Sequence, residues 1–176
     1  MEFVRATWEN DQEYMSIVGD LLKDKDLLKL DNITHHRYTT RLVHSIFVSY
    51  VSYKITKARG LDYVSTARAG LLHDFFLEER EEIELLGMGS HNSAHPKIAL
   101  KNAERLTELN ELEKDIILKH MFLCTLKSKA PLYKESFIVS MVDKYCAISE
   151  VSQPTRNWAK QFVGRLQTRL SYGTQI

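Results

Sequence analysis

The chain has 176 residues, 44% hydrophobic and 27% charged, which suits one globular domain with a single core and excludes disorder as the default state. Its 24 basic and 23 acidic side chains leave a formal net charge of +1, so no global field draws it to a nucleic acid polymer or an anionic membrane. An anionic substrate would need a local attractor such as a metal ion.

The N-terminus has no basic start followed by an apolar run, so no signal peptide is expected, and a cytoplasmic location follows. Gly (7) and Pro (3) are scarce, which favours long helices over turn-rich sheet. From Asp11 to Leu22, Tyr14, Ile17, Val18, Leu21 and Leu22 fall at helical spacing. The next helix is predicted from about Tyr38 to Arg59, stopping at Gly60. It is apolar nearly all round, with Leu42, Ile46 and Tyr53 on one face, Val43, Phe47 and Tyr50 on another and Val48, Val51 and Ile55 on a third, and so belongs in the middle of a bundle. Asp62 can cap a helix that delivers His73-Asp74 at its C-terminal end. Leu77 to Ala94, with its charge run Glu78 to Glu82, reads as a loop with one short helix that shapes a substrate pocket. Pro96 is expected in the first turn of a helix reaching about Glu108. Asn110 and Glu113 resemble a capping box for a helix through His120. Pro131 breaks the chain before a helix from about Glu135 to Glu150. An amphipathic helix after Pro154 carries Trp158, Phe162, Val163 and Leu166, and packs on the chain's own core or on a second copy in a homodimer. Cys124 and Cys146 are isolated in apolar stretches and read as buried free thiols in a reducing setting. The expected fold is all-α, a single domain over residues 1–176.

Seven histidines are present, and their placement carries the chemistry. His44 lies in the central apolar helix, His73-Asp74 at a helix end, His95 before Pro96, and His120 at another helix end. Asp143 sits inside the apolar run Phe137 to Ile148. Ions in bundle cores are ligated in this way, by inward side chains from several helices. A lone buried carboxylate needs a compensating charge, which a divalent cation supplies. Imidazoles with carboxylates suit Zn, Fe or Mn better than Mg.

The order His, His-Asp, His, His, Asp resembles the HD superfamily of metal-dependent phosphohydrolases. His44, His73-Asp74 and Asp143 match the minimal motif, and His95 and His120 match the branch that holds two metals. The surroundings Arg41-Leu42-Val43-His44-Ser45, Ala69-Gly70-Leu71-Leu72-His73-Asp74 and His95-Pro96-Lys97-Ile98-Ala99 extend the resemblance, which covers roughly residues 37–150. It implies an HD-type helical bundle in which Asp74 bridges two metals, one on His44, His73 and Asp143, the other on His95 and His120. A metal-activated water would then attack the phosphorus of a small phosphorylated substrate, a nucleotide among the candidates. Alarmone hydrolases of the superfamily carry Glu-Asp where this chain has Leu77-Glu78. Cyclic-dinucleotide phosphodiesterases carry a lysine where it has Leu77, together with a Gly-Tyr-Pro element that is missing here. Neither substrate therefore transfers.

Other residues carry paired readings. Arg41, one turn before His44, either binds a substrate phosphate or pairs with a buried carboxylate. His91 competes with His95 as a ligand, or contacts substrate. Lys97, Lys101, Lys119 and Lys144 either line a phosphate pocket or are solvated. Glu78 is a candidate general acid within a run otherwise read as a solvated face. His35 and His36 read as surface or capping residues. Two rival functions remain: a di-iron HD-type oxygenase with the same ligands, and a non-enzymatic sensing or interaction module stapled by metal.

Overall fold

A computed structural model of the protein describes residues 8–35, 39–85, 87, 89–124 and 128–150. Among them are eight α-helices and one two-residue antiparallel ladder. The helix expected after Pro154, with Trp158 and Phe162, lies outside the described residues, as does His36. The fold is all-α.

The expected first helix is broken. α1 (Gln12–Val18) ends at Gly19, and a 3-10 turn (Leu21–Lys23) follows. Asp24 then caps the short α2 (Lys25–Leu28), its carboxylate accepting from the Asp26 and Leu27 N–H groups at 2.8 and 2.9 Å. A local cap of this strength restarts the helix in a new direction. β1 (Thr34–His35) pairs with β2 (Thr39–Thr40) and delivers the chain to α3 (Arg41–Ala58). α3 starts three residues later than the periodicity suggests, because Thr40 is its N-cap and accepts from Val43 N–H at 3.3 Å. It ends as expected before Gly60, whose φ of 65° is left-handed.

α3 is the central helix, packed on α4 (Tyr63–Leu72) and α8 (Lys134–Glu150). Apolar patterning alone hides one of its faces: Ser45, Ser49, Ser52 and Thr56 are fully buried at helical spacing. Ser49 donates to Ala67 O at 2.6 Å and accepts from the Tyr14 hydroxyl at 2.7 Å, so this polar stripe is bonded rather than merely buried. Tyr14, Tyr50, Tyr53 and Tyr63 meet edge-on or tilted at centroid distances of 4.9 to 5.7 Å, which makes the aromatic-rich face core packing.

The segment after His73-Asp74 holds the single short helix expected, α5 (Arg80–Leu85). Ile83 anchors it in a small satellite core with Phe76, Ala94 and Ile98. α6 runs His91–Leu106, so Pro96 is its sixth residue and not part of its first turn. Ser90 sets the earlier start, its carbonyl accepting from Ser93 and Ala94 N–H. α7 (Glu111–Lys119) opens with the expected capping box of Asn110 and Glu113. Cys146 is buried, but Cys124 is exposed, in the turn that follows α7, contrary to the reading of both thiols as core. No helix among the described residues is long and apolar enough to cross a membrane.

Candidate metal centre

Three helix ends and two helix interiors converge. His44 comes from the first turn of α3, His73 and Asp74 from the end of α4, and His95 from the second turn of α6. His120 closes α7, and Asp143 lies within α8. All six are buried, His44 and His73 completely and Asp143, the least so, at 8% exposure. The structure thus gathers all six ligands expected from sequence.

Two groups are close enough to hold an ion: His44, His73 and Asp74, and Asp74, His95 and His120. Asp143 joins the first, its Oδ1 lying 3.0 Å from His44 Nε2 and 3.8 Å from His73 Nε2. Asp74 is shared by both. Its Oδ2 faces His73 Nε2 at 3.7 Å, while its Oδ1 faces His95 Nε2 and His120 Nε2, each at 3.4 Å. Donors about 2.0–2.2 Å from a common ion lie roughly 2.9–4.3 Å from one another in tetrahedral or octahedral arrangements. The separations here run from 2.9 to 3.8 Å. Most are too long for direct hydrogen bonds and suitable for shared coordination.

The protonation pattern points the same way. His73, His95 and His120 each place Nδ1 against a backbone carbonyl, of Gly70 at 2.7 Å, His91 at 2.9 Å and Ile117 at 2.8 Å. A carbonyl can only accept, so each Nδ1 carries a proton and each neutral ring turns the Nε2 lone pair inward. Two such lone pairs face each other at 2.9 Å between His95 and His120, which is repulsive unless a cation or a proton stands between them. Without an ion, a proton serves. Burial opposes a charged His120, but the neighbouring Asp74 and Asp143 carboxylates raise its pKa. Burial pushes His95 down to about 3, which leaves that ring as the acceptor. His73 Nε2 and Asp74 Oδ1 are buried with no hydrogen-bond partner among the described residues. Unpaired buried polar atoms are costly, and an ion would satisfy both. Burial raises the Asp74 and Asp143 carboxyls, yet the surrounding histidines outweigh it and hold both well below the usual carboxylate range. These residues could hold a metal ion; the donor set does not fix its identity or number.

The remaining predicted residues are spread around this cluster. Arg41 is buried beside it: its guanidinium stacks on the Phe76 ring at 3.6 Å and donates to the Phe76 carbonyl, while Nε has no partner among the described residues. Burial lowers its pKa, against the opposing charges of Asp74, Glu79 and Glu78. His91 is half-buried at the start of α6, its ring 4.9 Å from that of His95 and 5.6 Å from Phe76. Glu78 does not join the cluster; it lines a separate cavity of about 390 Å³ with Asp24, Asn102 and Arg105, and accepts from Leu77 N–H. Lys97 is exposed on another cavity of about 490 Å³, shared with Lys119, Leu118 and Phe122. Lys101 is exposed as well. Lys119 is held by Asp115 at 3.2 Å and Ala130 O at 3.2 Å. Lys144 turns into the protein and donates to His120 O and to Ser140.

Sequence reasoning missed the residues that brace the site. Gly70 lets α4 approach α3 and supplies the carbonyl for His73. Arg68 ties α4 to α7 through buried Glu113 at 2.6 Å, and Asn110 donates to Ser65 Oγ at 2.9 Å. The capping box already marked Glu113, but its second role, as partner of Arg68, has no local signature. Comparison with protein-family models, curated proteins and solved structures gives no match, so the reading of this centre rests on its own geometry.

Proposed function

We propose that the chain is a metal-dependent phosphohydrolase of the HD type, acting on a small phosphoester or nucleotide through two ions bridged by Asp74. The observation that carries this reading is the division of Asp74, one oxygen toward His73 and the other toward His95 and His120. A carboxylate spanning two histidine groups is the arrangement a paired-ion site needs, and the ligand order along the chain supports the HD assignment.

Ions held there would lower the pKa of a bound water toward neutrality and polarise phosphoryl oxygens. The protein's own contribution is positional. Gly70, His91 and Ile117 carbonyls lock three imidazoles with their lone pairs inward. His44 and Asp143 close the first group from α3 and α8. Arg41, flattened on Phe76 and with an Nε that has no partner among the described residues, would orient a phosphate oxygen at the edge of the cluster. Burial of all six ligands limits stray water.

The test is elemental mass spectrometry of freshly purified protein beside a His120→Ala variant, followed by anaerobic turnover of a phosphoester panel with Mn. About two ions per chain falling toward one, with phosphate release, is the expected result. Iron with turnover that requires oxygen would replace the hydrolase by an oxygenase. No ion under any loading condition would end the enzyme reading.

A further inference from the structure

Asp143 and Lys144 are consecutive on α8 and serve different halves of the centre. Asp143 reaches His44 at 3.0 Å in the first ligand group. Lys144 instead reaches the backbone of a ligand in the second group: its Nζ lies 2.9 Å from His120 O, 2.8 Å from Ser140 Oγ and 3.1 Å from Ser140 O. Ser140 Oγ donates to the same His120 carbonyl at 2.7 Å. One peptide oxygen thus receives both an ammonium and a hydroxyl, and the three residues close a triangle.

The position of that oxygen matters. His120 is the C-cap of α7, where carbonyls lack helical partners and the macrodipole is negative. A cation there is favourable, and Ser140 is fully buried, so the anchor is shielded from water. The His120 ring is already fixed in tautomer by Ile117 O, but its backbone sits at the junction with the turn 121–124. Ser140 and Lys144 hydrogen-bond that junction to α8, beside a ring contact of Phe122 with Phe137 at 6.4 Å. The ammonium is spent on backbone and hydroxyl acceptors, which leaves it badly placed to bind substrate.

We propose that Lys144, assisted by Ser140, is the positioning residue for the second ion: it fixes His120 so that Nε2 stays aimed at Asp74 and His95. This rests on the two-ion reading above. It also makes α8 a second link between the two ion positions, beside the shared Asp74, since Asp143 and Lys144 are consecutive on it.

The experiment is calorimetric titration of the chelator-stripped full chain with Mn and with Zn, for wild type and for Lys144→Met, Lys144→Arg and Ser140→Ala. Residues that orient a ligand from behind change metal affinity by about 10–100-fold when removed. Lys144→Met is expected to weaken the second ion by that factor and to leave the first within about threefold. Lys144→Arg should restore most of the loss, and Ser140→Ala should cause a smaller one. Melting of the stripped proteins, followed by circular dichroism, separates folding from positioning. A wild-type chain with two ions and a folded Lys144→Met chain that binds both equally well would overturn the inference and leave the two-ion reading standing. Equal weakening of both ions, tracking lost stability, would overturn it in favour of a purely structural lysine. A wild-type chain that takes up one ion would overturn both.

Discussion

Gly70 on α4 packs directly against the backbone of Ser49 on α3: a Cβ placed on Gly70 would lie 2.9 Å from Ser49 Cα and 3.4 Å from its nitrogen. These are backbone atoms and cannot swing aside. The contact is as close as it is because Ser45, Ser49 and Ser52 line the facing stripe. Gly70→Ala should gain about 1 kcal/mol of helix propensity. Overpacking costs about 1–3 kcal/mol, so a net loss of about 0–2 kcal/mol is expected in urea unfolding. Because Gly70 O holds His73 Nδ1, metal uptake should fall in the variant even under conditions where it is folded.

Asp74→Asn tests the bridge. An amide keeps the shape and removes the charge that both histidine groups face. Elemental analysis should show loss of ions from both positions, whereas Asp143→Asn should weaken mainly the position shared with His44 and His73. Equal retention of two ions in Asp74→Asn would contradict a shared carboxylate.

Chelation should destabilise the wild-type chain. A ligand present at about 100 times its dissociation constant contributes about 2.7 kcal/mol. The melting temperature should therefore drop on stripping and recover on adding back Mn or Zn, and an Asp74→Asn chain should respond to neither treatment.

Arg68→Ala removes the partner of Glu113, whose side chain is 4% exposed. Truncating one member of a buried pair typically costs about 3–5 kcal/mol. Arg68 is itself about a quarter exposed, so the lower end is expected in chemical denaturation. Arg68→Ala with Glu113→Gln should recover part of the loss.

Tyr14 gives a pH dependence far from the metal centre. Burial raises its pKa well above the ordinary tyrosine value, while its hydroxyl donates to Ser49 Oγ at 2.7 Å. The folded chain therefore holds this proton at pH values where the unfolded chain has released it. Its contribution is complete below about pH 10, the unfolded value, and is lost progressively as the pH rises above it. Stability measured between pH 9 and 11 should fall more steeply for wild type than for Tyr14→Phe. At neutral pH that variant should be about 1 kcal/mol less stable, for the lost hydrogen bond.

Much of this was legible in the sequence, for reasons that differ by element. His44, which alone reads as a satisfied core histidine, stood out through the order His, His-Asp, His, His, Asp, and Asp143 because a carboxylate in an apolar helical run needs a compensating charge. The Asp62 cap, the Asn110–Glu113 box and the Gly60 stop are local signals, and the structure realises each of them. Pro96 misled because proline is favoured in first turns, whereas Ser90 starts the helix a turn earlier and the fold absorbs one missing N–H. Lys144 read as a substrate contact or a solvated cation, because one of its acceptors, the His120 carbonyl, lies 24 residues away. The serine stripe of α3 could not be recognised without α4 beside it.

His44 and Asp143 touch across 99 intervening steps of chain, and the other ligands come from three further helices between them. No single helix or helical hairpin contains the whole centre. The full set of six donors exists only when α3, α4, α6, α7 and α8 have all docked, so filling of both groups would be a late event in folding. A nascent chain that has not yet released α8 from the ribosome would lack Asp143, and a loaded chain would resist the loosening of the helices that hold its ions. Occupancy of the whole six-donor set would thus report that these five helices have closed on one another.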